Sequence, residues 1–135
     1  MKTIPLLSIL TSILTLSLPL PALAEGLDAT KPMTCALAEA AECDEMAHCS
    51  EVTLEQIDLP GGWRVDFAAK QLVSMDGQRK SPISAVEALE TVLVLQGLQN
   101  GRGWTMVVER ATGHLAATLA DQEGVFVLAG GCSAE

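Results

Sequence analysis

Glu42, Cys43, Asp44, Glu45, His48 and Cys49 crowd into eight residues. Together they offer thiol, imidazole and carboxylate, the groups that ligate transition metals. Cys43, His48 and Cys49 could hold zinc or copper, but their spacing departs from the paired C-x2–4-C and H-x3–5-H pattern of a closed zinc site. A Cys–His nucleophile would need a thiolate, and a cysteine already in a disulfide has none to offer. The competing use of Cys43 and Cys49 is a bridge that closes the polar loop between them.

The chain has four cysteines: Cys35, Cys43, Cys49 and Cys132. An even count in a small exported domain reads as two disulfides. Of the three possible connectivities, Cys43–Cys49 with Cys35–Cys132 is favoured, because it ties the first strand to the last. A bridge closing a loop of about 100 residues stabilises by at most ~4–5 kcal/mol in the chain-entropy model. That is large against a domain's total of ~5–15 kcal/mol. No metal, no cofactor and no catalytic residue is expected.

Other candidates are few. His48 and His114 are the only histidines, and His114 falls at the edge of a turn, where solvation is the plain reading. No serine elbow, H-E-x-x-H, Walker loop or dinucleotide fingerprint is present. Gly101-Arg102-Gly103 reads as a turn rather than a phosphate cradle. With no tyrosine and four aromatics in all, stacking platforms for bases or sugars are scarce. Trp63 and Trp104 are first of all packing residues. The functional reading pairs Trp104 with Arg102 as an anchor for a partner, since Trp and Arg dominate interface hot spots. The acidic residues Asp44 and Glu45 form a second candidate contact.

The compartment is read from residues 1–24. Lys2 opens the chain, an apolar run follows, and Ala22-Leu23-Ala24 fits the small-x-small rule. This is the pattern of a signal peptide cleaved after Ala24, with export to the periplasm or beyond. The apolar run falls short of the ~20 residues a spanning helix needs. The mature chain then holds 17 acids and seven bases, a net charge of −10. That excludes nucleic acid and anionic membrane surfaces as natural partners and admits a basic exported protein. A monomer is expected.

The elements that must position these residues read as strands. Residues 25–33 form a flexible polar lead-in, and 34–135 one β-rich domain. In 34–42 local propensity favours helix, while alternation puts Cys35, Leu37, Ala41 and Cys43 on one face with Glu39 as the misfit. Strand is preferred, because a bridge to Cys132 is easiest from a facing strand. A short strand lies around Val52, and Thr53-Leu54-Glu55-Gln56 has the form of a capping box for one helical turn. Trp63, Val65 and Phe67 alternate, as do Trp104, Met106 and Val108. Asp76-Gly77 and Asn100-Gly101 are hairpin signals, and Gly113 suits a short loop. Ala85–Glu90 reads as a link with room for one helical turn. Thr91–Gly97 reads as a buried strand. Leu115, Ala117 and Leu119 share a face, as do Phe126, Leu128, Gly130 and Cys132. The expectation is an all-β antiparallel meander of about eight short strands, closed or nearly closed into a barrel. Its interior would be filled by side chains or hold one small ligand.

Glu42-Cys43, His48-Cys49, Leu95-Gln96-Gly97 with Asn100-Gly101-Arg102, Ala111-Thr112-Gly113 and Phe126-Val127 through Gly131-Cys132 resemble a group of small exported bacterial proteins of unknown function. The likeness covers most of the mature chain. It implies the β-rich reading, strand at 34–42 included, and no activity. The plan of a small exported barrel with a terminal disulfide is also similar in architecture to the periplasmic lysozyme inhibitors. The functional expectation is a non-enzymatic acidic binding or inhibitor-type module acting on another exported protein. The alternative is a small periplasmic carrier with an apolar ligand in the barrel, the cavity lined by Trp63, Val65, Phe67 and Leu95.

Overall fold

The computed structural model describes residues 26–135. The signal peptide expected at residues 1–24, with cleavage expected after Ala24, lies outside the described residues. Ten strands and no helix make up the described chain: β1 Met33–Cys43, β2 Cys49–Val52, β3 Gly62–Asp66, β4 Gln71–Ser74, β5 Lys80–Pro82, β6 Ala85–Ala88, β7 Val92–Gln99, β8 Arg102–Glu109, β9 His114–Ala120 and β10 Val125–Ala134. All pairings are antiparallel, in the order β5-β4-β3-β1-β10-β9-β8-β7-β6, with β2 added on β1. The nine-stranded path curls through 290° into a nearly closed barrel. The link expected at Ala85–Glu90 is largely the exposed edge strand β6, with no helical turn.

Two meanders, β3–β5 and β6–β10, lie side by side because β1 is inserted between β3 and β10. In the larger meander the period-2 pattern works as expected. Leu93 and Leu95, Met106 and Val108, Leu115 and Ala117, and Phe126 and Leu128 are buried inside the curl. Their neighbours Val107 and Val127 face out. Each large apolar side chain so buried contributes about 1.5–3 kcal/mol. The β7–β8 turn is Asn100-Gly101, both at positive φ, 51° and 78°. This is the two-residue hairpin geometry that matches the twist of the strands it joins.

Strand β1 resolves its own sequence misfit with a β-bulge. The pairing with β10 shifts register between Leu37 and Glu39. One residue, Ala38, is extra, so parity flips. Cys35 and Leu37 face inward before the bulge and Ala40 after it, while Glu39 is exposed. Cys43 therefore sits on the outer face beside Val125, not with Cys35 as strict alternation would have it. Gly130 lies at the bulge because a Cβ there would stand 2.0 Å from the Ala36 carbonyl oxygen. The bulge also marks where β1 changes partner, from β3 (Met33–Ala36) to β2 (Ala40–Cys43). Helix propensity in the alanine-rich stretch loses to this shared burial and pairing.

Both disulfides join residues directly opposite on neighbouring strands: Cys35 with Cys132 and Cys43 with Cys49. They span 97 and six residues of sequence. In the chain-entropy model the first is worth about twice the second, roughly 4–5 against roughly 2 kcal/mol.

One end of the barrel is shut. The segment before β1 is not a free lead-in: Leu27 is buried in the core. Its N–H donates to the Arg110 carbonyl at 2.9 Å, and Arg110 Nε donates back to the Leu27 carbonyl at 2.7 Å. The same guanidinium donates through Nη1 to the Leu89 carbonyl at 2.9 Å. Arg110 thus clamps the lead-in and the β6–β7 turn across the closed end. Met33, Val65, Leu93 and Val108 fill the space behind it.

Candidate functional site

The opposite end is open, and topology brings both tryptophans there. Strand β3 is four antiparallel steps from β8, so the two run in the same direction. Trp63 and Trp104 stand near the starts of these strands, both on the inward face, and so at the same mouth. Between them lies a cavity of about 860 Å³. Its walls are mostly apolar, with Leu37, Leu72, Met106, Leu115, Leu119 and Leu128, and include the polar Ser81, Gln99 and Thr118. Its rim carries Asp58, Arg79, Lys80 and Arg102 beside the two indoles.

Each rim group is held by a definable contact. Trp104 lies directly opposite Gly97 across β7 and β8. A Cβ on Gly97 would stand 2.3 Å from the indole and from the Pro82 carbonyl oxygen. The missing side chain lets the ring lie over β7 and donate from Nε1 to buried Ser81 Oγ at 2.9 Å. That bond helps seal the seam where β5 meets β7, together with the Ser84 N–H to the Gln96 carbonyl at 2.8 Å. Trp63 donates from Nε1 to the Pro60 carbonyl at 2.8 Å. Both indole N–H groups are therefore satisfied, leaving the ring faces for packing.

Arg102 precedes Trp104 by two residues and shares its face of β8. Its Nε donates to Asp121 Oδ2 at 3.0 Å. The Asp121 carboxyl is held below its ordinary range, first by the backbone N–H of Glu123 and then by Arg102. Among the described residues the two terminal nitrogens of Arg102 have no hydrogen-bond partner. Arg79 reaches across the mouth to Asp58, with Nη2 at 2.7 Å from Oδ1. Asp58 ends the turn at 54–58 within the loop between β2 and β3. That loop starts with a reciprocal box: the Gln56 N–H donates to Thr53 Oγ1 at 3.2 Å and the Thr53 N–H to Gln56 Oε1 at 2.8 Å. The capping pattern read from sequence is present on a tight turn instead of a helix.

Of the residues singled out in the sequence, Arg102 and Trp104 come together at this mouth. Trp104 is half-buried and hydrogen-bonded, not an exposed anchor. The cavity differs from the one expected of a carrier. Trp63 lines it, but Val65 and Leu95 are fully buried in the core and Phe67 packs against that core. Asp58, Arg79 and Lys80 went unread because charges beside turns look like ordinary solvated residues.

Asp44 and Glu45 lie in the β1–β2 loop, at the same end of the barrel but outside the cavity. Asp44 is occupied with the loop itself: Oδ1 accepts from the N–H groups of Met46 and His48, both at 2.9 Å. His48 Nδ1 lies 3.5 Å from Asp44 Oδ2 on the surface. Cys43 and Cys49 are bonded to each other, S–S 2.03 Å, so neither sulfur is a thiolate. Among the described residues no group of three or more His, Cys, Asp or Glu is placed to hold a metal ion. No family model matches the chain, and no curated protein or solved structure matches it.

Proposed function

We propose that the domain is an exported, non-enzymatic binding protein that carries a small apolar ligand in the open end of its barrel. The observation that carries this reading is the cavity of about 860 Å³ with mostly apolar walls. Ligand sites of ~300–1,000 Å³, mostly apolar with a few placed polar groups, are the usual form of small-molecule pockets, and barrel mouths are a common place for them. The floor is rigid, because Cys35 at the cavity wall is bonded to Cys132. Export is supported by the leader pattern and by the two disulfides, which persist in oxidising compartments.

The test is a titration with N-phenyl-1-naphthylamine, a neutral apolar fluorophore. Saturable binding with one site per chain is expected, with quenching of the two tryptophans that line the cavity. Ala117→Leu, which adds bulk to the wall, should weaken it about tenfold. Absence of saturable binding would rule the reading out.

A second reading rests on the acidic β1–β2 loop, fixed by Cys43–Cys49 and by Asp44. Such a preordered loop lowers the ordering cost of contact with a basic exported protein. The side chain left for the partner is Glu45. Glu45→Lys should slow association with a basic protein recovered from periplasmic extract, and more so at low salt. A rate indifferent to both would leave the loop a solvated turn.

A further inference from the structure

The lining of the cavity holds more bases than acids, unlike the molecule as a whole. The described residues hold seven bases against sixteen acids. Three of those seven, Arg79, Lys80 and Arg102, line this one cavity, against a single acid, Asp58. Asp58 is already paired with Arg79. Lys80 is exposed and alternates with inward Ser81 on β5, so its ammonium lies on the outer side of the rim. Arg102 is fixed at Nε by Asp121, whose side chain is only 12% exposed. Its terminal nitrogens are left without a partner at the rim of an apolar cup.

An arginine whose Nε is pinned by a carboxylate still presents its two terminal nitrogens, and their N–H groups match the two oxygens of an anion. The pin also sets the orientation beforehand, so less freedom is lost when the anion arrives.

From this juxtaposition we propose that the ligand is an amphipathic carboxylate. Its head docks on the terminal nitrogens of Arg102, and its apolar body enters the cavity between Trp63 and Trp104. This rests on reading the cavity as a ligand site. It goes further, because a cavity with apolar walls alone would take a neutral molecule equally well.

The experiment compares three ligands of equal chain length, each below its aggregation concentration: dodecanoate, dodecanol and dodecyltrimethylammonium. Fluorescence of Trp63 and Trp104 reports binding. Dodecanoate is expected to bind roughly tenfold or more tightly than dodecanol, as a charge-assisted hydrogen bond in a partly dry site provides. The cation should bind most weakly. In Arg102→Gln the carboxylate-to-alcohol ratio should fall to about one. Equal binding of dodecanoate and dodecanol by the wild-type protein would overturn the proposal while leaving the cavity reading intact. Binding of none of the three would remove both. A ratio unchanged in Arg102→Gln would also overturn it, and the wild-type comparison decides the matter even if that variant does not fold.

Discussion

Gly97 and Trp104 form a lock whose strength depends on the absence of one carbon. A Cβ at Gly97 would meet the indole and the Pro82 carbonyl at 2.3 Å. Neither neighbour can give way easily, since the ring is held by Ser81 and the carbonyl belongs to β5. Gly97→Ala is therefore expected to cost about 1–3 kcal/mol, the usual penalty of overpacking, and to shift tryptophan emission. Gly103 is a matched control. Its Cβ would meet only Leu98 Cδ2, at 3.5 Å. Gly103→Ala should stay within about 0.5 kcal/mol of the parent. Urea unfolding midpoints decide it; equal losses would mean that Trp104 moves freely. At this scale the sequence was partly legible. Arg102 and Trp104 could be paired as neighbours, but Gly101-Arg102-Gly103 reads as a turn, and only the extension of β8 back to Arg102 puts the two on one face. Gly97 looked like a strand end, because nothing local says that an indole from the next strand will cover it.

At the scale of elements, strands with strict alternation and a glycine turn could be read to within a residue or two. The run from Trp104 to Cys132 became β8, β9 and β10 with the expected faces, because each pairs with its neighbour in sequence. Strand β1 was harder. Its inward face is broken by the bulge at Ala38, and two of its three partners, β3 and β10, lie about 30 and 90 residues away along the chain. No local pattern encodes either fact. The exposed strand β6 was missed for a different reason: an edge strand with no buried side chain leaves no period-2 trace. The mouth combines both problems. Its rim is gathered from the β2–β3 loop, the β4–β5 loop and the β7–β8 turn, three segments whose common position follows only from the curl of the sheet. The Thr53–Gln56 box was visible in sequence, but not that it delivers Asp58 to Arg79.

For the whole molecule, the balance of charge makes acid the informative stress. Asp66, Asp76 and Asp121 each accept backbone N–H bonds in a turn, and each has its carboxyl held below the ordinary 3.8. For Asp66 the leading cause is the Ala69 N–H, for Asp76 the Ser74 hydroxyl and for Asp121 the Glu123 N–H. A carboxyl that is more acidic in the folded protein takes up protons more readily in the unfolded one. Acid therefore favours unfolding. The stabilising contribution is complete above the unfolded value of ~4 and fades as pH falls through the lower folded values. Asp76 is exposed, and Asp66 and Asp121 lie at the surface with side chains 24% and 12% exposed, so screening keeps each contribution modest. Self-repulsion acts in the same direction at the acid extreme, because neutralised carboxyls leave the seven bases and two histidines of the described residues unopposed. The urea midpoint is expected to hold steady between pH 5 and 7 and to fall below about pH 4. Asp121→Asn separates the two causes. It keeps an oxygen for the Glu123 N–H but removes the charge that titrates and pairs with Arg102. The acid limb should flatten in this variant, with a lower midpoint at pH 7, while added salt should restore stability at pH 3 in both proteins. An acid limb of unchanged steepness would assign the loss to general repulsion and not to the turn carboxylates.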